Sequence, residues 1–149
     1  MIPLVSLKGA TPFSATMRTG KRFTCGIVTV VVRFRPLTID TVSKQEVGVG
    51  VSIRKKTAKK ATVRNRVKRL LRVSVRQVVS EFESLGYFEK GSPFERIIVF
   101  CNSAPNVPSL LRLNDILVDV RCALTAAIEY YQQRINRYEN NSHPSHSGI

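Results

Sequence analysis

Apolar residues recur at Val63, Val67, Leu70, Leu71, Val75, Val78 and Phe82, the spacing of one helix face. On the same helical wheel Asn65, Lys68, Arg69, Arg72 and Arg76 gather on the opposite side, with Arg64 and Arg66 at the boundary. A helix over residues 63–82 built in this way has to lay its apolar stripe on a sheet or another helix. Its cationic side must then face outward.

No acidic residue occurs between Val47 and Ser80, yet the stretch holds Arg54, Lys55, Lys56, Lys59, Lys60, Arg64, Arg66, Lys68, Arg69, Arg72 and Arg76, eleven of the chain's 24 basic residues. Solvated helix faces usually mix signs, because opposite charges at i,i+4 stabilise a helix by about 0.2–0.5 kcal/mol per pair. Cations in the first turn oppose the helix dipole by roughly 0.3–1 kcal/mol each at low salt. The pattern therefore costs helix stability and points to an anionic partner. The whole chain carries a net charge of +14, and polyphosphates are the commonest neutralisers of such an excess. Arginine forks can grip two phosphate oxygens at once, whereas Lys55, Lys56, Lys59 and Lys60 act as mobile point charges. Exposed N–H groups at the helix start favour the same ligand.

The remaining chain reads as α/β. Thr11 as N-cap, Pro12 at the first helical position and Gly20 just past the end predict a short helix, on which Phe13 and Met17 share a face. Residues 23–34 read as one long, largely buried strand, and residues 35–45 as a loop. In a strand over residues 47–53, Val47, Val49, Val51 and Ile53 alternate with Gly48, Gly50 and Ser52. The bare face can mark close approach of a ligand, another backbone or a helix. A third strand covers residues 96–101, a loop with Pro105 and Pro108 follows, and an amphipathic helix spans about residues 114–133. The expected fold is an α+β sandwich, a small mixed β-sheet with helices packed on it. Residues 1–135 form a single RNA-binding domain in this reading, and residues 136–149, with His143 and His146, a disordered polar tail.

The cysteines Cys25, Cys101 and Cys122 are odd in number and widely spaced, which suits reduced thiols in a cytoplasmic protein. No secretory leader or membrane span is evident. Neither a carboxylate cluster nor a histidine pair is available for unaided phosphodiester hydrolysis, so no catalytic or metal-binding residue is assigned. Asp115 and Asp119 read as helix-dipole partners in a first turn.

The run Val-Arg-Asn-Arg-Val-Lys-Arg-Leu-Leu-Arg at residues 63–72 resembles the Arg-Asn-Arg signature of the bacterial ribonuclease P protein component. It is preceded, as in that family, by a Val-Gly-x-Ser-x-x-Lys-Lys stretch, here residues 49–56. The resemblance extends over most of residues 7–131. It implies a left-handed β-α-β crossover, an exception to the usual handedness. It also implies a subunit of an endoribonuclease that removes the 5′ leader of precursor tRNA, with the catalytic RNA holding Mg2+ and performing the hydrolysis, and no cofactor on the protein alone. Arg64, Asn65, Arg66, Lys68 and Arg69 would meet the RNA subunit, and Phe13 would stack on a leader base. Met17 stands where the family often has a second aromatic, so a softer apolar contact is implied there. The link from Lys56 to Arg64 is about one residue longer than the common pattern and lacks its glycine. The partners expected are ribonuclease P RNA and precursor tRNA, with neither membrane nor DNA. The alternative is a ribosomal or other structural RNA-binding protein.

Overall fold

Gly26 divides the β-branched run. Its φ of 57° lies in the left-handed region, which primed two-residue hairpin turns use, and the chain reverses between Cys25 and Val28. The single long strand expected over residues 23–34 is therefore a hairpin of two strands. The computed structural model describes residues 2–7, 9–36, 46–54, 56–88, 92–102 and 111–142, with side chains of the last helix described as far as Arg137. Of the loops expected over residues 35–45 and 102–109, residues 37–45 and 103–109 lie outside the described residues, as do Lys8, Lys55, His143 and His146.

The elements in order are β1 (Leu4–Ser6), α1 (Ala10–Thr19), β2 (Lys21–Cys25), β3 (Val28–Phe34), β4 (Val47–Ile53), α2 (Ala61–Ser84), β5 (Phe94–Cys101) and α3 (Leu113–Ser142). They form one mixed sheet in the order β1-β4-β5-β3-β2, parallel on the β1/β4/β5 side and antiparallel across β5/β3/β2. The parallel β4/β5 pair spanned by α2 is a β-α-β unit. With three helices on this sheet, the α+β class expected from the sequence is the one observed.

Strand alternation sorts the side chains into two layers. Val28, Val30 and Val32 of β3 and Ile97 and Val99 of β5 pack with Val67, Leu71, Val75 and Val78 of α2 and with Ile116, Val120, Leu124 and Ala127 of α3. Truncating a fully buried leucine such as Leu71 to alanine costs about 2–5 kcal/mol in such cores. Val31 and Ile98, also fully buried, point to the other face, which α1 covers. There a Cβ on Gly50 would lie 3.3 Å from both Leu7 and Phe13, so the glycine face of β4 is filled by those two side chains.

Several boundaries differ from the sequence expectation for identifiable reasons. Strand β1 has only three residues and exists through parallel pairing with β4. Helix α1 starts two residues early, with Gly9 and not Thr11 at the N-cap and no side-chain capping bond. Helix α3 runs through Asn136 to Ser142, so half of the segment expected to be disordered is helical. Cys25 and Cys122 form a disulfide between β2 and α3, which corrects the expectation of three reduced thiols; Cys101 is buried at the end of β5. The carboxylate of Asp115 accepts the Arg112 N–H at 2.8 Å, a capping contact at the start of α3. Asp119 instead accepts the Ile27 N–H at 3.0 Å and so ties the hairpin turn to α3.

Gly20, just past α1, tests the close approach of α1 to the sheet. A Cβ there would come within 2.6 Å of Val31 Cγ1 and 2.7 Å of the Thr16 carbonyl oxygen. Gly20→Ala is expected to lower the urea midpoint by an amount equivalent to about 1–3 kcal/mol. An unchanged midpoint would show that α1 can lift freely. Between the two long helices, Arg121 donates to Glu81 through Nε at 3.0 Å and a terminal nitrogen at 2.9 Å. Those hydrogen bonds and the guanidinium charge hold the Glu81 carboxyl below its usual range against an opposing desolvation. Its stabilisation is complete above the unfolded carboxylate's pKa and is lost as pH falls through the lower folded value. Glu81→Gln should therefore be less stable than the parent at neutral pH by about 0.2–1 kcal/mol, a gap that closes in acid. A gap independent of pH in parallel denaturant titrations would contradict this.

Candidate nucleic-acid interface

The basic segment begins where β4 ends. Past Ile53 the chain turns on itself, with the Thr57 and Ala58 N–H groups donating to the Arg54 carbonyl at 3.0 and 3.3 Å and the Ala58 methyl buried in the core. Lys60 caps α2 with extended backbone but no side-chain bond, and no acid lies in the first turn. The first-turn N–H groups are thus left for solvent or an anion.

Arg64 behaves differently from its neighbours. Its Nη1 donates to the carbonyls of Ala58 at 3.0 Å and Lys59 at 2.7 Å, strapping the preceding turn to the helix. These bonds give the loop, which lacks a glycine, a fixed conformation. Lys56, Lys59, Lys60, Asn65, Arg69, Arg72 and Arg76 are exposed, and Arg66 and Lys68 are half-buried. Lys55 lies outside the described residues. Among the described residues none of these cations has an ion-pair partner, because the acids of α2 sit at its far end, where Glu81 is held by Arg121 and Glu83 accepts the Ile2 N–H. One nitrogen of Arg66 is buried with no hydrogen-bond partner. Leaving a buried charged donor unsatisfied costs about 1–3 kcal/mol or more.

Asn65, Arg69, Arg72 and Arg76 form an exposed ridge about 16 Å long at 1.5 Å per residue. The sheet below α2 fixes its direction, since the apolar stripe can bury only with this ridge outward. The arrangement supplies cationic forks and oriented N–H groups and is suited to holding phosphates. Around α2 the donor set is wrong for a protein-held Mg2+, which takes oxygen ligands. Among the described residues no three His, Cys, Asp or Glu side chains come together as a metal cage.

Phe13 and Met17 lie apart from this ridge, on α1 at the other face of the sheet. Both are half-buried: Phe13 packs over Gly50 and keeps part of its surface open. The next row of the same face runs Ser52, Phe100, Thr29 and Thr24 across β4, β5, β3 and β2. Here the Arg22 guanidinium lies 5.8 Å from the Phe100 ring centre, and Thr24, Thr29 and Asn102 are linked by side-chain hydrogen bonds of 2.9 and 2.6 Å. Sequence reasoning missed this aromatic and polar row. The alternation that marks it becomes visible only when the Gly26 turn is recognised.

A family model described as Ribonuclease P matches residues 3–102. Among solved structures, the RNase P protein of Staphylococcus aureus is similar at a TM-score of 0.53 and 17% identity, over 82% of this chain and 94% of that one. A Staphylococcus aureus RNase P protein mutant, described as defective in mRNA degradation activity, gives 0.54 and 19% over 82% and 86%. No curated protein sequence matches. The structural likeness establishes a shared fold, and with the match over two thirds of its length the chain belongs to the ribonuclease P protein family.

Proposed function

We propose that this chain binds the catalytic RNA of ribonuclease P through the loop after β4 and the outward ridge of α2, and the 5′ leader of precursor tRNA across the α1 face of the sheet. The observation that carries this reading is the uncapped, acid-free start of α2 together with the exposed ridge of Asn65, Arg69, Arg72 and Arg76 on a chain of this family. The protein's part is to neutralise phosphates and grip the leader, while the RNA subunit holds Mg2+ and cleaves the phosphodiester to give the mature tRNA 5′ end. Phe13 supplies a stacking surface, and Met17 a soft apolar neighbour, for a leader nucleotide. The cytoplasmic placement belongs to the same proposal. Among the described residues no helix is long and apolar enough to cross a membrane.

Reconstitution tests the reading directly. Added to ribonuclease P RNA, the protein should restore leader cleavage at low Mg2+. Absence of rescue, with tight binding to other structured RNA, would favour a structural RNA-binding protein without catalytic association.

The ridge and the cleft separate in two further measurements. Arg69 and Arg72 are exposed, so their joint replacement by alanine should leave the fold intact and reduce the slope of log K against log salt for RNA binding. The reduction should be about 0.7–0.9 for each phosphate that is no longer neutralised. An unaltered slope would remove α2 from the interface. Phe13→Ala should weaken binding of leader-bearing precursor relative to mature tRNA by about 1 kcal/mol or more, the scale of one base–aromatic stack. Equal losses for both substrates would argue that Phe13 only packs on Gly50.

A further inference from the structure

A second cationic site lies at the corner of the sheet diagonally opposite the start of α2. Three strand spacings and one seven-residue strand separate the two corners by a distance on the order of 25 Å. There Gly20, Lys21, Arg33, Phe34, Tyr130 and Arg134 line a pocket of about 350 Å³. Its floor is a Tyr130 ring held by Phe23 at 5.9 Å and Phe34 at 5.6 Å between ring centres. Two cations converge on that ring, Lys21 at 5.1 Å and Arg134 at 5.8 Å from its centre. Arg33 is neutralised by Glu95 at 3.3 Å, but among the described residues neither Lys21 nor Arg134 has an acidic partner.

From these observations we infer that the Lys21/Arg134 pocket is a second phosphate site, which takes a backbone phosphate of an RNA segment distinct from the one held by α2. Two like charges drawn onto one ring repel each other, and an anion between them relieves that repulsion while leaving both cation–π contacts in place. The aromatic cluster fixes the ring, so the cations are presented on a built surface and not on a floating loop. Arg137, exposed three residues beyond Arg134, extends the positive rim along the same helix. Tyr130 and Arg134 of α3 lie beyond residues 3–102, the segment that the family model matches, whereas Lys21, Arg33 and Phe34 lie within it. A macromolecular phosphate is favoured over a small one because the pocket opens beside an exposed helix end, and a chain of +14 charge leaves this corner cationic too.

The inference rests on the reading that the chain binds ribonuclease P RNA, and one experiment separates their failures. The full protein is reconstituted with ribonuclease P RNA, and affinity is followed against salt for the parent, for Arg69→Ala with Arg72→Ala, and for Lys21→Ala with Arg134→Ala. Thermal unfolding confirms that each is folded, and Lys21→Arg with Arg134→Lys keeps the charges. The Lys21/Arg134 pair is expected to lower the salt slope by about 0.7–0.9 per phosphate released, the charge-keeping pair to retain it, and the two alanine pairs to add. A photo-crosslinking residue at position 134 should mark RNA nucleotides different from those marked from position 69. A reduced slope for Arg69/Arg72 alone overturns the second site and leaves the first reading standing, whereas unchanged slopes for both overturn the two together. Saturable binding of inorganic phosphate that disappears in the Lys21/Arg134 variant, with its RNA slope unchanged, assigns the pocket to a small phosphate ligand and likewise overturns the inference.

Discussion

Burial of the α2 stripe on the sheet is the constraint from which the rest follows. Val67, Leu71, Val75 and Val78 are removed from solvent against β4 and α3, and each fully buried side chain of this size is worth about 1.5–3 kcal/mol. No weaker preference can rotate the helix against several such terms. The cations therefore remain outward although the helix dipole and the absence of i,i+4 acids make that arrangement unfavourable locally. Local cost tolerated at a position that the core fixes is what a binding surface looks like in energetic terms.

The same physics decides what was legible in the sequence. In α2 every residue reports its own face through a 3.6-residue period, so both the element and its cationic side could be read. In the strands the alternation of Val47, Val49, Val51 and Ile53 with glycines worked equally well. Illegible features depended on partners distant in sequence or on segments without a period. Cys25 and Cys122 are 97 residues apart, and β1 is a strand only because Val47, Gly48 and Val49 lie beside it. Residues 136–142 are polar all round, so composition indicated disorder where the helix simply propagates from its packed portion. The Gly26 turn was hidden differently: apolar residues on both sides made two strands look like one.

For the candidate site, identity was easier to read than role. Arg64 belongs to the signature as written in the sequence, and one nitrogen of its guanidinium donates to the Ala58 and Lys59 carbonyls, so the side chain also straps the basic turn. Arg66, which flanks the stripe on the other side, has the buried nitrogen without a partner. A wheel drawn from sequence places both at a boundary and cannot tell which of them finds a carbonyl. That difference comes from the chain reversal at residues 54–58, set by two backbone hydrogen bonds to Arg54.

The hairpin edge carries a parallel argument. Strand β2 has a neighbour on one side only, yet three tethers to α3 hold that margin of the sheet: the Cys25–Cys122 disulfide, the Asp119 bond to Ile27 next to the turn, and the contact of Phe23 with Tyr130. Losing the covalent tether under reducing conditions leaves the other two, so Lys21 and Tyr130 stay in register whichever redox state the cysteines adopt. Because α3 also packs on α2, through the core and the Glu81–Arg121 bridge, one helix fixes both the outward ridge and the opposite cationic corner. Two positive surfaces held by a common rigid element keep a constant separation. A folded RNA can satisfy that geometry with two of its segments at once, and the entropic cost of seating the second segment is small because the first has already set its position.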